Sequence, residues 1–112
     1  MSTRVNARRR RGPQSEAAPP SDLLAHRCRM LTRKGRLRQA AQALRELASR
    51  DQLPAAWVRL GAMLARCERT DAAVDALRQG WWLHRQTGQT RRADVVAKLI
   101  DQVRAGAFPN AA

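Results

Sequence analysis

Residues 54–82 read PAAWVRLGAMLARCERTDAAVDALRQGWW. The stretch opens on Pro54, and proline fits the first turn of a helix. Trp57, Leu60, Gly61, Leu64 and Ala65 then recur at helical spacing. Thr70 and Asp71 read as the start of a second helix, a hydroxyl cap followed by negative charge in the first turn. Ala73, Val74, Leu77, Trp81 and His84 form its apolar stripe, and Gly88 breaks it. Two helices joined by so short a link are antiparallel neighbours.

The same grammar precedes and follows this pair. Ser21 and Asp22 start a helix carrying Leu23, Leu24, Cys28, Met30 and Leu31, which stops at Gly35 after the cations Arg33 and Lys34. A helix from about Leu37 carries Ala40, Ala43, Leu44 and Leu47 and ends before Pro54. A fifth, from about Thr90, carries Val95, Val96, Leu99, Ile100 and Val103 before Gly106 and Pro109. Ala is abundant and aromatics are scarce, which suits close-packed helices and not strands. The fold class is therefore all-α, with about five helices and one domain.

The helices repeat. Placing Ala40 on Ala73 superimposes two units at 33 residues, with Leu24 on Trp57, Cys28 on Gly61, Leu31 on Leu64, Leu44 on Leu77 and Leu47 on Gly80. The second unit, Trp57-x-x-Leu60-Gly61-x-x-Leu64 with Ala73, Leu77 and Gly80, resembles the tetratricopeptide-repeat (TPR) family. Leu64 and Leu77 stand where that family usually has Tyr and Phe. The first unit is weak at its start and strong from Gly35 through Leu44, closing with Asp51 and Pro54. Ala93, Val96, Ala97 and Ile100 stand in the fifth helix as the start of a third unit would, after a link about three residues longer than the period predicts. The resemblance covers about residues 21–105. It implies a short right-handed α-solenoid of antiparallel helix pairs, with units at about 21–53 and 54–87 and a closing helix at about 90–105. Gly61, Ala73 and Gly80 are then small because helix backbones approach there. So few units are marginal alone, which leaves room for self-association or a stabilising partner.

The resemblance also implies a concave groove lined by the first helix of each unit. Ala25, Arg29, Thr32 and Arg33 would face it from the first helix, Val58, Arg59, Ala62 and Arg66 from the third, and Asp94, Lys98 and Asp101 from the fifth. Arg29, Arg33, Arg59, Arg66 and Lys98 make this surface mostly basic, suited to an acidic or carboxylate-bearing peptide or helix. The alternative is that these cations are simply solvated. The Lys/Asn clamp by which some family members grip a C-terminal carboxylate is absent, since Ala25 and Arg29 stand there. Trp82 points about 100° away from Trp81. It is either an exposed anchor for a partner or packed beneath the link to the fifth helix.

The formal net charge is +13. Residues 1–20 hold five Arg and one Glu, so most of the excess lies in the helical part. Such charge draws nucleic acid, anionic membrane or acidic protein. The twenty Arg against two Lys also resemble the coding bias of a GC-rich bacterial genome. Residues 1–20, with Arg8, Arg9, Arg10 and Arg11 followed by prolines, read as a disordered basic arm, and 106–112 as a disordered tail. The arm serves either solubility or contact with acidic surfaces. Cys28 and Cys67 form no CxxC pair and lack a nearby second His or Cys to complete four zinc ligands, so they read as free thiols of a reducing compartment. No 18-residue apolar run and no secretory signal is present, so a cytoplasmic location is expected.

No catalytic constellation stands out: the carboxylates fall at caps or polar faces, and neither a phosphate loop nor a nucleophile elbow occurs. No cofactor or metal is expected. The leading expectation is a non-catalytic protein-interaction module, an adaptor, scaffold or dedicated chaperone. The alternative is a nucleic-acid-binding accessory protein that uses the basic arm and the Arg-rich surface.

Overall fold

The computed structural model describes residues 20–108. The expectations for the rest of the arm and for residues 109–112 lie outside these residues. Among the described residues there are five helices and no strand: α1 (Ser21–Arg33), α2 (Leu37–Asp51), α3 (Pro54–Arg66), α4 (Thr70–Gln86) and α5 (Thr90–Arg104). Each packs against the next in the chain. None is long and apolar enough to cross a membrane.

One local device closes four of the five helices. The link 34–36 has Gly35 at φ 76°, with the Gly35 amide donating to Thr32 O and the Arg36 amide donating to Leu31 O. The same pair of bonds forms at Glu68 and Arg69, at Gly88 and Gln89, and at Gly106 and Ala107. A left-handed residue turns the chain so that two otherwise unpaired carbonyls are satisfied. Glycine supplies that residue at three of the four sites, whereas Glu68 adopts φ 60° with a side chain in place. The α2 helix ends differently, on Gln52 at φ 48°, whose side-chain amide donates to Ser49 O.

These turns also change how the helices begin. Ser21 and Thr70 are the first residues of α1 and α4, and the caps are Pro20 and Arg69, with no side-chain capping bond. Arg36, Arg69 and Gln89 each finish one turn and cap the next helix. A three-residue link leaves no separate slot for a Ser or Thr cap. The expected extra length before α5 is mostly in α4, which has 17 residues against 15 in α2. The link to α5 is three residues against two before α3, which accounts for the remainder.

Packing follows the 33-residue correspondence. Ala40 and Ala73 are both fully buried, as are Leu44 and Leu77, and Cys28 and Gly61 are both buried. Each buried leucine contributes about 1.5–3 kcal/mol by leaving water. The α3–α4 contact is the tightest. A Cβ at Gly61 would lie 2.6 Å from Leu77 Cγ and 3.1 Å from Ala73 O, and one at Gly80 would lie 2.8 Å from Val58 Cγ2 and 3.2 Å from Pro54 O. The middle of α3 meets the start of α4, and the start of α3 meets the later part of α4, so the two helices are antiparallel. Trp57 is only half-buried, and its enclosed indole N–H has no hydrogen-bond partner. Phe108 packs against the core, so the chain still touches the helices there.

Candidate functional site

The described surface carries two adjoining depressions along one side of α1, α3 and α5. The first, about 370 Å³, lies between α1 and α3. On α1, Arg29, Thr32 and Arg33 line it; four-residue spacing puts the two arginines on one face, a turn apart. On α3, Arg59, Ala62, Met63 and Arg66 line it, again one face by helical spacing. Met63, buried, and Ala62, half-buried, give the depression an apolar component. Thr32 turns its hydroxyl back to Cys28 O at 2.7 Å, leaving the arginines as the polar groups free to meet a ligand. All four arginines are exposed, and among the described residues none of them has a carboxylate partner. Four cations lining one depression repel one another, less so as salt rises, so an anion between them lowers the free energy.

The second depression, about 330 Å³, lies between α3 and α5 and is mainly apolar. Val58 from α3 and Val95, Val96 and Leu99 from α5 line it, with Arg59, Arg92 and His84 among them. Arg59 belongs to both depressions, so basic and apolar surfaces are continuous. His84 is buried, and its Nδ1 stands 2.8 Å from Gln89 Oε1. That bond ties α4 to the residue that caps α5.

Of the residues singled out in the sequence, Arg29, Arg33, Arg59 and Arg66 are brought together in one place. Lys98 is exposed on α5 and lines neither depression, nor does Asp94. Arg92, Val95 and Leu99 take the place expected for Asp94, Lys98 and Asp101. A shift of one residue in the register of α5 turns its face by about 100°, and the longer α4 makes that register hard to carry over from the repeat. Val95, expected in the core stripe, is 57% exposed. The apolar stripe Val95, Val96, Leu99, Ile100 and Val103 of α5 spans an arc of roughly 140°; Val96 and Val103 near its middle are buried, and Val95 at one edge is exposed. That width was the available signal for Val95 and Leu99.

Trp82 is 49% exposed and lies elsewhere. It lines a third depression, about 460 Å³, with Arg78 and Trp81 of α4 and Ala97, Ile100, Asp101 and Arg104 of α5. The Trp81 ring is covered by the Arg85 guanidinium, 5.5 Å from its centroid. Arg8, Arg9, Arg10 and Arg11 lie outside the described residues. Cys28 is buried in α1 and Cys67 half-buried at the end of α3, both as free thiols. Comparison with family models, with curated proteins and with solved structures gave no match.

Proposed function

We propose that this chain is a short TPR-type α-solenoid that acts as a protein-binding module, an adaptor, scaffold or dedicated chaperone without catalysis of its own. Its ligand is an acidic peptide or helix held on the side formed by α1, α3 and α5. The observation that carries this reading is the convergence of Arg29, Arg33, Arg59 and Arg66 on one depression without described carboxylate partners. Guanidinium groups bind carboxylates in a forked, two-bond geometry that lysine lacks. The adjoining Val58, Val95 and Leu99 surface accepts an apolar side chain of the same ligand. Acidic residues beside an apolar anchor are thus the recognised feature.

The test is a fluorescence-anisotropy titration of the full chain with two labelled probes, a Glu- and Leu-rich peptide and a single-stranded DNA of matched charge. Peptide binding that is lost on changing the four arginines to Ala supports the reading. Preferential DNA binding that survives those changes and falls steeply with salt assigns the chain to nucleic acid instead.

A further inference from the structure

The three odd-numbered helices do not have equal surroundings. Helix α3 lies between α2 and α4, whereas among the described helices α4 is the main neighbour of α5. In α3, Gly61 and Leu64 are buried, with Gly61 directly beneath Leu77 of α4. The residues of α5 in the same relation are Ala97 and Ile100, and both are part-exposed. They form the floor of the third depression, walled by Trp81 and Trp82 of α4. On α5 this floor points about 140° away from Val95 and Leu99, so it is separate from the groove. The positions that are buried in α3 are part-exposed in α5.

We propose that this face docks an acidic amphipathic helix of a partner protein, which lies on α5 as α4 lies on α3. The inference uses the internal repeat and does not depend on the basic groove. Helical form follows from the repeat, because the face that α4 covers in α3 is the face left open in α5. Acidity follows from charge: Arg78 and Arg104 border the depression against the single carboxylate Asp101. A second copy of this chain is disfavoured by its net charge of +13, which makes copies repel. Trp and Arg are enriched among the few residues that dominate binding energy at protein interfaces, and Trp82 stands here with Arg78 and Arg104. A small side chain opposite Ala97 lets the incoming backbone approach, as Ala73 does opposite Gly61.

The test uses a synthetic 17-residue peptide of the α4 sequence carrying Arg78→Glu, Arg85→Glu, Trp81→Leu and Trp82→Leu, so that only the full chain's tryptophans emit. The proposal expects a saturable blue shift of emission as Trp82 is covered. It also expects affinity at least about tenfold weaker for the same peptide with both arginines retained, and for chains carrying Ile100→Asp or Trp82→Ala. Circular dichroism checks that each variant keeps its helices, and with Ile100→Asp excluded on that ground, Trp82→Ala read by calorimetry decides. In the chain with Arg29, Arg33, Arg59 and Arg66 changed to Ala, which removes the groove as a competing site, the peptide still gives the saturable blue shift. No saturable binding, or equal binding by the Ile100→Asp and Trp82→Ala chains, overturns the proposal. Loss of binding in the four-arginine variant moves the acidic peptide to the groove and likewise overturns it. Sedimentation showing a dimer that Ile100→Asp disperses assigns the face to a second copy.

Discussion

Gly61 and Leu77 occupy the same space on facing helices: a Cβ added to Gly61 would sit 2.6 Å from Leu77 Cγ and 2.7 Å from its Cδ2. Leu77 is only 1% exposed and has no open direction in which to swing. Gly61→Ala gains about 0.5–1 kcal/mol of helix propensity and forces a shift that costs about 1–3 kcal/mol. A net loss of up to about 2.5 kcal/mol is expected, and a larger loss for Gly61→Leu. Urea denaturation of the pair with Leu77→Ala should show coupling, the double variant losing less than the two single losses together. Strict additivity would mean that the two residues do not share the contact.

Glu68 holds a left-handed conformation at φ 60° in the turn where Gly35 and Gly88 stand at φ 76°. A side chain in this region costs about 1–2 kcal/mol, offset in part by the greater unfolded-state freedom of glycine. Glu68→Gly should therefore stabilise the chain by about 0.5–1 kcal/mol, read as a higher Tm. Gly35→Ala should do the reverse by a similar amount, although nothing lies within 4 Å of its missing Cβ.

The Nδ1 of His84 and Oε1 of Gln89 are 2.8 Å apart, with the histidine buried. Gln89→Ala leaves an enclosed ring nitrogen without its partner and should cost about 1–3 kcal/mol. Gln89→Glu keeps an acceptor there and should cost less. A double-mutant cycle with His84→Ala, read by thermal melts, separates the bond from helix capping, because a cap effect of residue 89 would not depend on the histidine.

Trp57 encloses an indole N–H with no partner. Trp57→Phe removes that unsatisfied donor together with some packing area, so its loss should stay under about 1.5 kcal/mol. Trp57→Ala should cost about 3 kcal/mol or more. Equal losses would show that the N–H is satisfied in solution.

How far the sequence reveals the structure depends on which force sets each feature. Helix positions are legible because apolar spacing, Pro54 and the glycines at 35, 88 and 106 are local signals. The close approach at Gly61 and Gly80 is legible because only a small residue fits beneath Leu77 or Val58. The caps are not, because the turn geometry that makes Arg69 serve two helices overrides the preference for Thr70. Nor is the left-handed turn at Glu68, whose residue type carries no signal for it. The meeting of Arg29 and Arg33 with Arg59 and Arg66 follows from two regular faces at a fixed period. The face of α5 does not, because its rotation depends on the length of α4 rather than on any property of α5 itself.

The central claim is that the four arginines form a binding site for an acidic protein segment. Its most direct test is affinity capture from native-source lysate in the presence of nuclease. The full chain is compared with the variant bearing Arg29→Ala, Arg33→Ala, Arg59→Ala and Arg66→Ala. The account predicts one protein recovered in stoichiometric amount by the native chain and lost in the variant, both chains having the same helical content by circular dichroism. Undiminished recovery by the variant, or recovery of only polydisperse, nuclease-sensitive material, would contradict it.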